Sequence, residues 1–316
     1  MNNQLLPIHF APLQGFTDAA YRTAHSHWFG GVETYYTPFV RCEHGETRRK
    51  DERDINPINN QTIDLVPQLI GASHKDVLPI ISLFIDNSYQ KIDINIGCPF
   101  PMIVRKKWGS GLLPYTNEAI AFITDLTREF PTISFSVKMR LGWDNAQECM
   151  ALLPKLNELP LSHITLHPRL GKQQYKGDTD IHMFEEFYNL CKHPLIYNGD
   201  LLTIEDIQHI KAKFPRLAGI MIGRGLLVNP ALALEYQQEK PLDADDFACR
   251  LRHMHDELFA NYQQQLEGGE AQLLQKMKTF WEYLLPNADK KSHKIIQKTS
   301  KLANYQAAVN TLLASL

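Results

Sequence analysis

The chain has no CxxC pair, no GxGxxG after its first strand-like segment, and almost no net charge. No apolar run approaches the ~20 residues that a membrane helix needs. Each absence removes a class. Five scattered cysteines (Cys42, Cys98, Cys149, Cys191, Cys249) argue against a zinc site or a disulfide scaffold. They fit free thiols in a reducing cytosol. The start, MNNQLLPIHFAP, lacks the basic n-region and apolar core of a signal peptide. The expectation is a cytoplasmic protein without a membrane anchor or a bound metal. The missing glycine fingerprint weakens a dinucleotide-binding fold. A formal charge of −2 leaves the question of nucleic acid to local patches.

What is present is 316 residues, 44% hydrophobic and 22% charged, enough for one large domain and a small one. Eight β-like runs recur, at Leu5–Ala11, Glu33–Val40, Leu65–Gly71, Lys91–Ile96, Ile133–Met139, His163–His167, Leu195–Asn198 and Gly219–Ile222. Amphipathic helical patterns separate most of them, which implies parallel strands with crossover helices. Eight units in about 230 residues match a (β/α)8 TIM barrel; an open doubly wound sheet is the runner-up. Polar residues 41–60 show no clean helix and read as a long loop or irregular excursion. After Pro241 strand patterns stop. Helices are expected over Asp243–Gln264, Glu270–Leu285 and Ser292–Leu316. The expected organisation is an α/β barrel over 1–240 and a small all-α helical bundle over 241–316.

In a barrel the C-terminal strand ends converge on one site. Here they carry Pro12-Leu13-Gln14, Gln68, Asn95 with Cys98, Lys138 with Arg140, His167 with Arg169, Asn198-Gly199-Asp200, and Gly223-Arg224. Cys98 follows a strand and a turn glycine, and Pro99 keeps it out of helix. Gln68 and His167 also suit ordinary structural roles. A lysine inside an apolar strand, Lys138, is costly to bury uncompensated and is expected to face a partner anion. The glycines after the last two strands suit a phosphate cradle, with Arg224 as a fixed charge. A phosphate cradle, an inward lysine and amides together suit flavin mononucleotide (FMN), with Lys138 near the pyrimidine edge and Gln68 on its carbonyl and imide groups.

Three basic patches stand out: Arg48–Lys50, Arg105–Lys107, and the seven lysines between Lys276 and Lys301, which face only Glu282 and Asp289. Such a run is often just a solvated face, but three of them point toward a polyanion.

Asp93-Ile-Asn-Ile-Gly-Cys-Pro99, Ser136–Asp144 with its Val-Lys-x-Arg-x-Gly-Trp-Asp pattern, Gly109–Leu113, His167–Arg169, Asn198–Asp200 and Met221–Gly225 together resemble the tRNA-dihydrouridine synthases. Lys276-Met-Lys-Thr-Phe-Trp-Glu-Tyr-Leu284 is most like the branch called tRNA-dihydrouridine synthase C, which acts on D-loop uridine 16. The resemblance implies a tRNA partner, FMN reduced by NADPH or NADH, hydride passed to uracil C6, and Cys98 protonating C5. It further implies that Pro12, Leu13, Gln14, Gln68, Lys138, His167, Asn198, Gly199, Asp200, Gly223 and Arg224 bind the flavin. Asn95 and Arg169 would hold the target nucleotide, and Lys276 and Lys278 the RNA. A monomer is expected. One departure is Met102, where the family usually has lysine. Two other readings stand beside this one: an FMN-dependent dehydrogenase of a free pyrimidine, and a tRNA-binding protein without turnover.

Overall fold

The computed structural model describes residues 5–43 and 45–316. The β-branched and aromatic runs form Ile8–Phe10 (β1), Thr34–Tyr36 (β2), Leu65–Val66 with Gln68–Leu69 (together β3), Lys91–Ile96 (β4), Ser134–Gly142 (β5), Ile164–Leu170 (β6), Leu195–Asn198 (β7) and Gly219–Ile222 (β8). All pair in parallel. β1 bonds to both β2 and β8. Pro67 has no N–H and splits β3. Leu65 and Val66 pair with Tyr35 and Tyr36, while Gln68 and Leu69 pair with Asp93 and Ile94. The two outermost segments of the sheet are therefore halves of one strand. That closes the ring and excludes the open sheet.

Ala11, Tyr36, Val66, Ile196 and Met221 fill the barrel interior. Alternate residues face outward against helices Ala19–Trp28, His74–Asp86, Thr116–Glu129, Gln147–Leu156, Ile181–Leu190 and Ile204–Lys213. Polar caps set several of these starts. Asp18 accepts from the Tyr21 N–H, and Thr203 and Asp206 form a reciprocal capping box. β5 and β6 run further than the alternation implies, so Arg140, His167 and Arg169 are strand residues with fixed direction.

Two expectations need correction. Residues 41–60 are not without a clean helix: they form a hairpin (Cys42–Glu43 with Glu46–Thr47), a helix Arg49–Ile55 and a 3-10 turn Pro57–Asn60. Their support is tertiary. Arg22, fully buried, donates to the Asp54 carbonyl and to Asn60 Oδ1, and Asp54 accepts from the Ala19 N–H. The last helix expected from Ser292 to Leu316 is two helices, Lys290–Lys298 and Leu302–Leu313. Thr299 is extended between them and its hydroxyl bonds locally around Lys301, a competition that Ser and Thr offer to helix. Helices Ala244–Gln265 and Gly269–Phe280 precede them, the second ending before the buried Trp281.

Candidate active site

The strand C-termini surround a cavity of about 560 Å³. That lies within the ~300–1,000 Å³ usual for small-ligand sites. Cys98 borders it at the end of β4. The loop carrying Cys98 is held from both sides. Asn95 Oδ1 accepts from the backbone N–H groups of Gly97 and Cys98, both at 2.9 Å. The Cys98 carbonyl accepts from the N–H and the hydroxyl of Ser110, both at 3.0 Å. Gly109 lies at φ 57°, and a Cβ there would stand 2.6 Å from the Cys98 carbonyl oxygen. Only glycine lets this turn approach. Cys98 is 7% exposed and packs among Phe39, Ile70, Ile103 and Trp108. Burial pushes its thiol up to about 11, so it carries its proton at neutral pH.

Across the cavity stand Lys138 and Arg140 on β5 and His167 and Arg169 on β6. Burial lowers the Lys138 ammonium, and Arg140 lowers it further; the Asp93 carboxylate opposes both. Its hydrogen-bond partner is Asn198 Oδ1 at 2.8 Å, a neutral amide rather than the anion expected. Asn198 Nδ2 donates to the Met221 carbonyl, so both ends of this amide are engaged. Burial, then the charges of Arg140 and Lys138, drive His167 well below its ordinary range, so it is neutral.

Other expected residues are reached differently. Gln68 has no exposed surface; its amide lies between Asp93 Oδ2 (2.6 Å) and Asn95 Nδ2 (2.7 Å). Arg169 is buried by a paired bond to Asp200 and a bond to the Gly177 carbonyl. Arg224 also meets Asp200, at 2.8 Å, so the expected anion cradle already contains one carboxylate between two guanidinium groups. The helix after Gly223 is only Arg224–Val228. Pro12, Leu13, Gln14, Gly199 and Gly223 all line the cavity, and Gln14 donates to the Phe39 carbonyl. Lys276 is far from free. Its ammonium meets Asp18 at 2.8 Å and the Gly15 carbonyl at 3.0 Å. Lys278 is half-buried on the same helix.

Sequence reasoning missed Phe16, Tyr175 and Tyr283, which line the same cavity. Tyr175 is 40% exposed and lies between Arg140 and Arg224, its ring 5.5 and 4.7 Å from their guanidinium carbons. Tyr283 comes from the helical region and packs edge-on against Phe16. Nothing local marks Tyr175, and Tyr283 lies in the Lys276–Leu284 stretch that carries the resemblance without any local sign that it reaches the cavity. Arg140 did carry a signal, because it sits two residues after Lys138 on the same strand face.

A profile of the dihydrouridine synthase (Dus) family matches residues 9–312. The chain belongs to the dihydrouridine synthase family. It is 25% identical over 226 residues to "tRNA-dihydrouridine synthase B" of Pasteurella multocida (strain Pm70), covering 71% of this chain and 67% of that one. It is 26% identical over 251 residues to "tRNA-dihydrouridine(16) synthase" of Neisseria meningitidis serogroup A, covering 76% and 75%. Among solved structures, the old yellow enzyme from Trypanosoma cruzi superposes with a TM-score of 0.52 at 12% identity, over 79% of this chain and 94% of that one. That likeness concerns the barrel alone.

Proposed function

We propose that this enzyme reduces a uridine of folded tRNA, at D-loop position 16, to 5,6-dihydrouridine, using FMN and NADPH or NADH. The observation that carries the reading is that Cys98 lines one cavity at the barrel mouth together with Lys138, Arg140, Arg169 and Arg224. The relatives named for position 16 favour that target. The cavity suits FMN in its charges. Lys138, Arg140, Arg169 and Arg224 line it against Asp200, which favours a phosphate and an electron-rich ring. Pro12, Leu13, Gln14, Lys138, His167, Gly199, Asp200, Gly223 and Arg224 would hold the flavin, with Gln68 and Asn198, whose amides are already engaged, as part of the wall. When bound, FMN supplies the reducing equivalent delivered to uracil C6.

The chain's residues do the rest. Cys98 holds a proton at Sγ and gives it to C5, where reduction at C6 leaves basic carbon. Neutral His167 orients and does not donate. Arg140 stabilises negative charge that develops at the carbonyl end of the base, and Lys138 would do the same for the reduced flavin. Asn95 and Arg169 act on the nucleotide mainly by shaping the cavity wall, since their polar atoms are largely engaged. Tyr175 offers an aromatic face at the mouth on which a base can stack.

A target base must leave its stack to reach such a cavity. The surface offers cations for the surrounding phosphates. Arg105, Lys106 and Lys107 are exposed beside the cavity-lining Phe100, and Lys290, Lys291, Lys294, Lys298 and Lys301 are exposed along the last helices. Lys278 belongs with them; Lys276 does so only by giving up Asp18. The chain is expected to act as a monomer in the cytoplasm, with residues 241–316 as its RNA-binding part.

The test is an anaerobic one. The enzyme is loaded with reduced flavin and offered tRNA lacking dihydrouridine, or free uracil. Rapid reoxidation by tRNA alone, with dihydrouridine mapped to position 16, is expected. Reoxidation by free uracil at the same rate would favour a free-pyrimidine dehydrogenase, and none with either would favour an RNA-binding protein without turnover.

A further inference from the structure

Beneath the cavity floor a chain of buried polar groups crosses three neighbouring strands. Ser136 Oγ on β5 donates to Asp93 Oδ1 on β4 at 2.6 Å. Gln68 Nε2 on β3 donates to Asp93 Oδ2 at 2.6 Å. Asn95 Nδ2 donates to Gln68 Oε1 at 2.7 Å. Asn95 Oδ1 then accepts from the N–H groups of Gly97 and Cys98. Asp93, Gln68, Ser136 and Asn95 are all buried, the first two completely.

The direction of this chain is dictated at both ends. A carboxylate only accepts, so Gln68 must turn its nitrogen toward Asp93 and its oxygen toward Asn95. Asn95 must then donate, which leaves its oxygen for the cysteine loop. From the other end, two backbone N–H groups require an oxygen from Asn95, which gives the same arrangement. The acid and the two N–H groups thus impose one and the same orientation on both amides.

We propose that Asp93, Gln68 and Asn95 position Cys98 as one polar chain, in which the group at 93 must match the group at 95 to hold the Gly97-Cys98 turn at the cavity wall. The proposal rests on the reading of Cys98 as the proton donor only for its significance, because its test reads the thiol itself. Burial raises the Asp93 carboxyl, while Ser136, Gln68 and the Lys138 charge act to keep it ionised. A Cys98 turn released from Asn95 would expose a thiol now 7% accessible.

The experiment measures iodoacetamide alkylation of Cys98 against pH in the flavin-free protein, read by peptide mass, with fully buried Cys149 as the internal control for global opening. In Asn95→Asp, while both carboxyls are ionised, the new oxygen faces Gln68 Oε1 and no orientation of that amide satisfies both neighbours; protonation of Asp93 at low pH relieves the conflict by letting it donate to the flipped amide. Alkylation of Cys98 is expected to rise about tenfold, with Cys149 unchanged. Asp93→Asn alone keeps the direction, since the new amide can accept from Gln68 and donate to Ser136. The double variant Asp93→Asn/Asn95→Asp reverses the whole chain: the amide at 93 donates to Gln68 Oε1, Gln68 donates to the carboxylate at 95, and that carboxylate still accepts from Gly97 and Cys98. Both are expected within about twofold of the parent protein. If Asn95→Asp does not fold, recovery of a folded protein in the double variant supports the proposal. Parent-like Cys98 reactivity in Asn95→Asp, or a defect that Asp93→Asn does not relieve, overturns it. Because no flavin or RNA is present, these outcomes are independent of whether tRNA reoxidises the loaded enzyme.

Discussion

At the N-terminal end of the barrel, Tyr36 Oη lies 3.3 Å from His9 Nδ1 and 3.2 Å from His163 Nε2, and the three rings close the barrel between them. A Cβ at Gly219 would stand only 2.9 Å from His9 Nε2. At the C-terminal end, Gln68, Asn95 and Asn198 also bond to neighbours, but around an open cavity. Both ends bury polar and titratable groups. One satisfies them against each other and gains a plug. The other bonds Lys138, Arg140, Arg169 and Arg224 to oxygens of the cavity wall and still arranges them, with Cys98, around a space that a ligand can enter. The contrast separates groups that stabilise the barrel from groups kept for chemistry.

The sharpest way to break that contrast is at Cys98. Cys98→Ala is expected to slow uridine reduction by ~10²–10⁴-fold while leaving the flavin bands of the loaded protein intact. Parent-like turnover would remove the thiol as the acid and leave the two ends of the barrel chemically alike. At the plugged end the expected effect is on stability alone. Burial, then the charge of Lys91, lowers His163 to about 4. Above pH 6.5 the folded and unfolded states both hold it neutral. As pH falls below that, the unfolded chain takes up a proton that the folded chain refuses until about pH 4, so stability declines through that window. His163→Gln should therefore recover on the order of 2 kcal/mol at pH 5 relative to its effect at pH 8, seen in denaturant unfolding at the two pH values. Turnover should be unchanged. A variant with no pH-dependent gain would mean that the plug is not what keeps this ring neutral.

The short β-like runs were legible. Lys91–Ile96, which alternates polar and apolar, and the apolar runs Leu195–Asn198 and Gly219–Ile222 lie where the sequence puts them, and they deliver Cys98 and Asn198 to the cavity and end where Gly223 begins. Closure was not legible, because it depends on Pro67 dividing one strand between two neighbours. Helix Arg49–Ile55 escaped because its support is Ala19 and Arg22, some thirty residues earlier. Asp93 carried a signal in plain view, an acid on the inward face of an apolar strand. Its meaning required knowing that Gln68 and Ser136 flank it on the adjoining strands. Tyr175 had no signal, and the family-like stretch around Tyr283 did not place that ring, since both reach the cavity only through tertiary packing.

The mouth of the cavity is itself tied to the helical region. Asp18, the cap of helix Ala19–Trp28, accepts from the hydroxyl of Tyr262 at 2.8 Å and pairs with Lys276, whose ammonium also reaches the Gly15 carbonyl. Residues 12–16 between them contribute cavity wall. Lys276→Met should cost about 1–2 kcal/mol of stability, since the pair is partly exposed. The measurement is the denaturation midpoint, and no change would show that water replaces the ammonium without loss.

The smallest effect distinguishes two lysines on one helix. Each lysine that neutralises a phosphate contributes ~0.7–0.9 to the slope of log affinity against log salt. Lys278 has no carboxylate partner among the described residues, so Lys278→Ala should lower the slope for tRNA by nearly one. Lys276 already spends its charge on Asp18. Lys276→Met should thus leave the slope as it is, even where it weakens binding through the displaced loop. An equally reduced slope in the two variants would mean that RNA draws Lys276 away from Asp18. The wall of the cavity would then loosen whenever tRNA binds, and the helical region would act on the open end of the barrel as well as on the RNA.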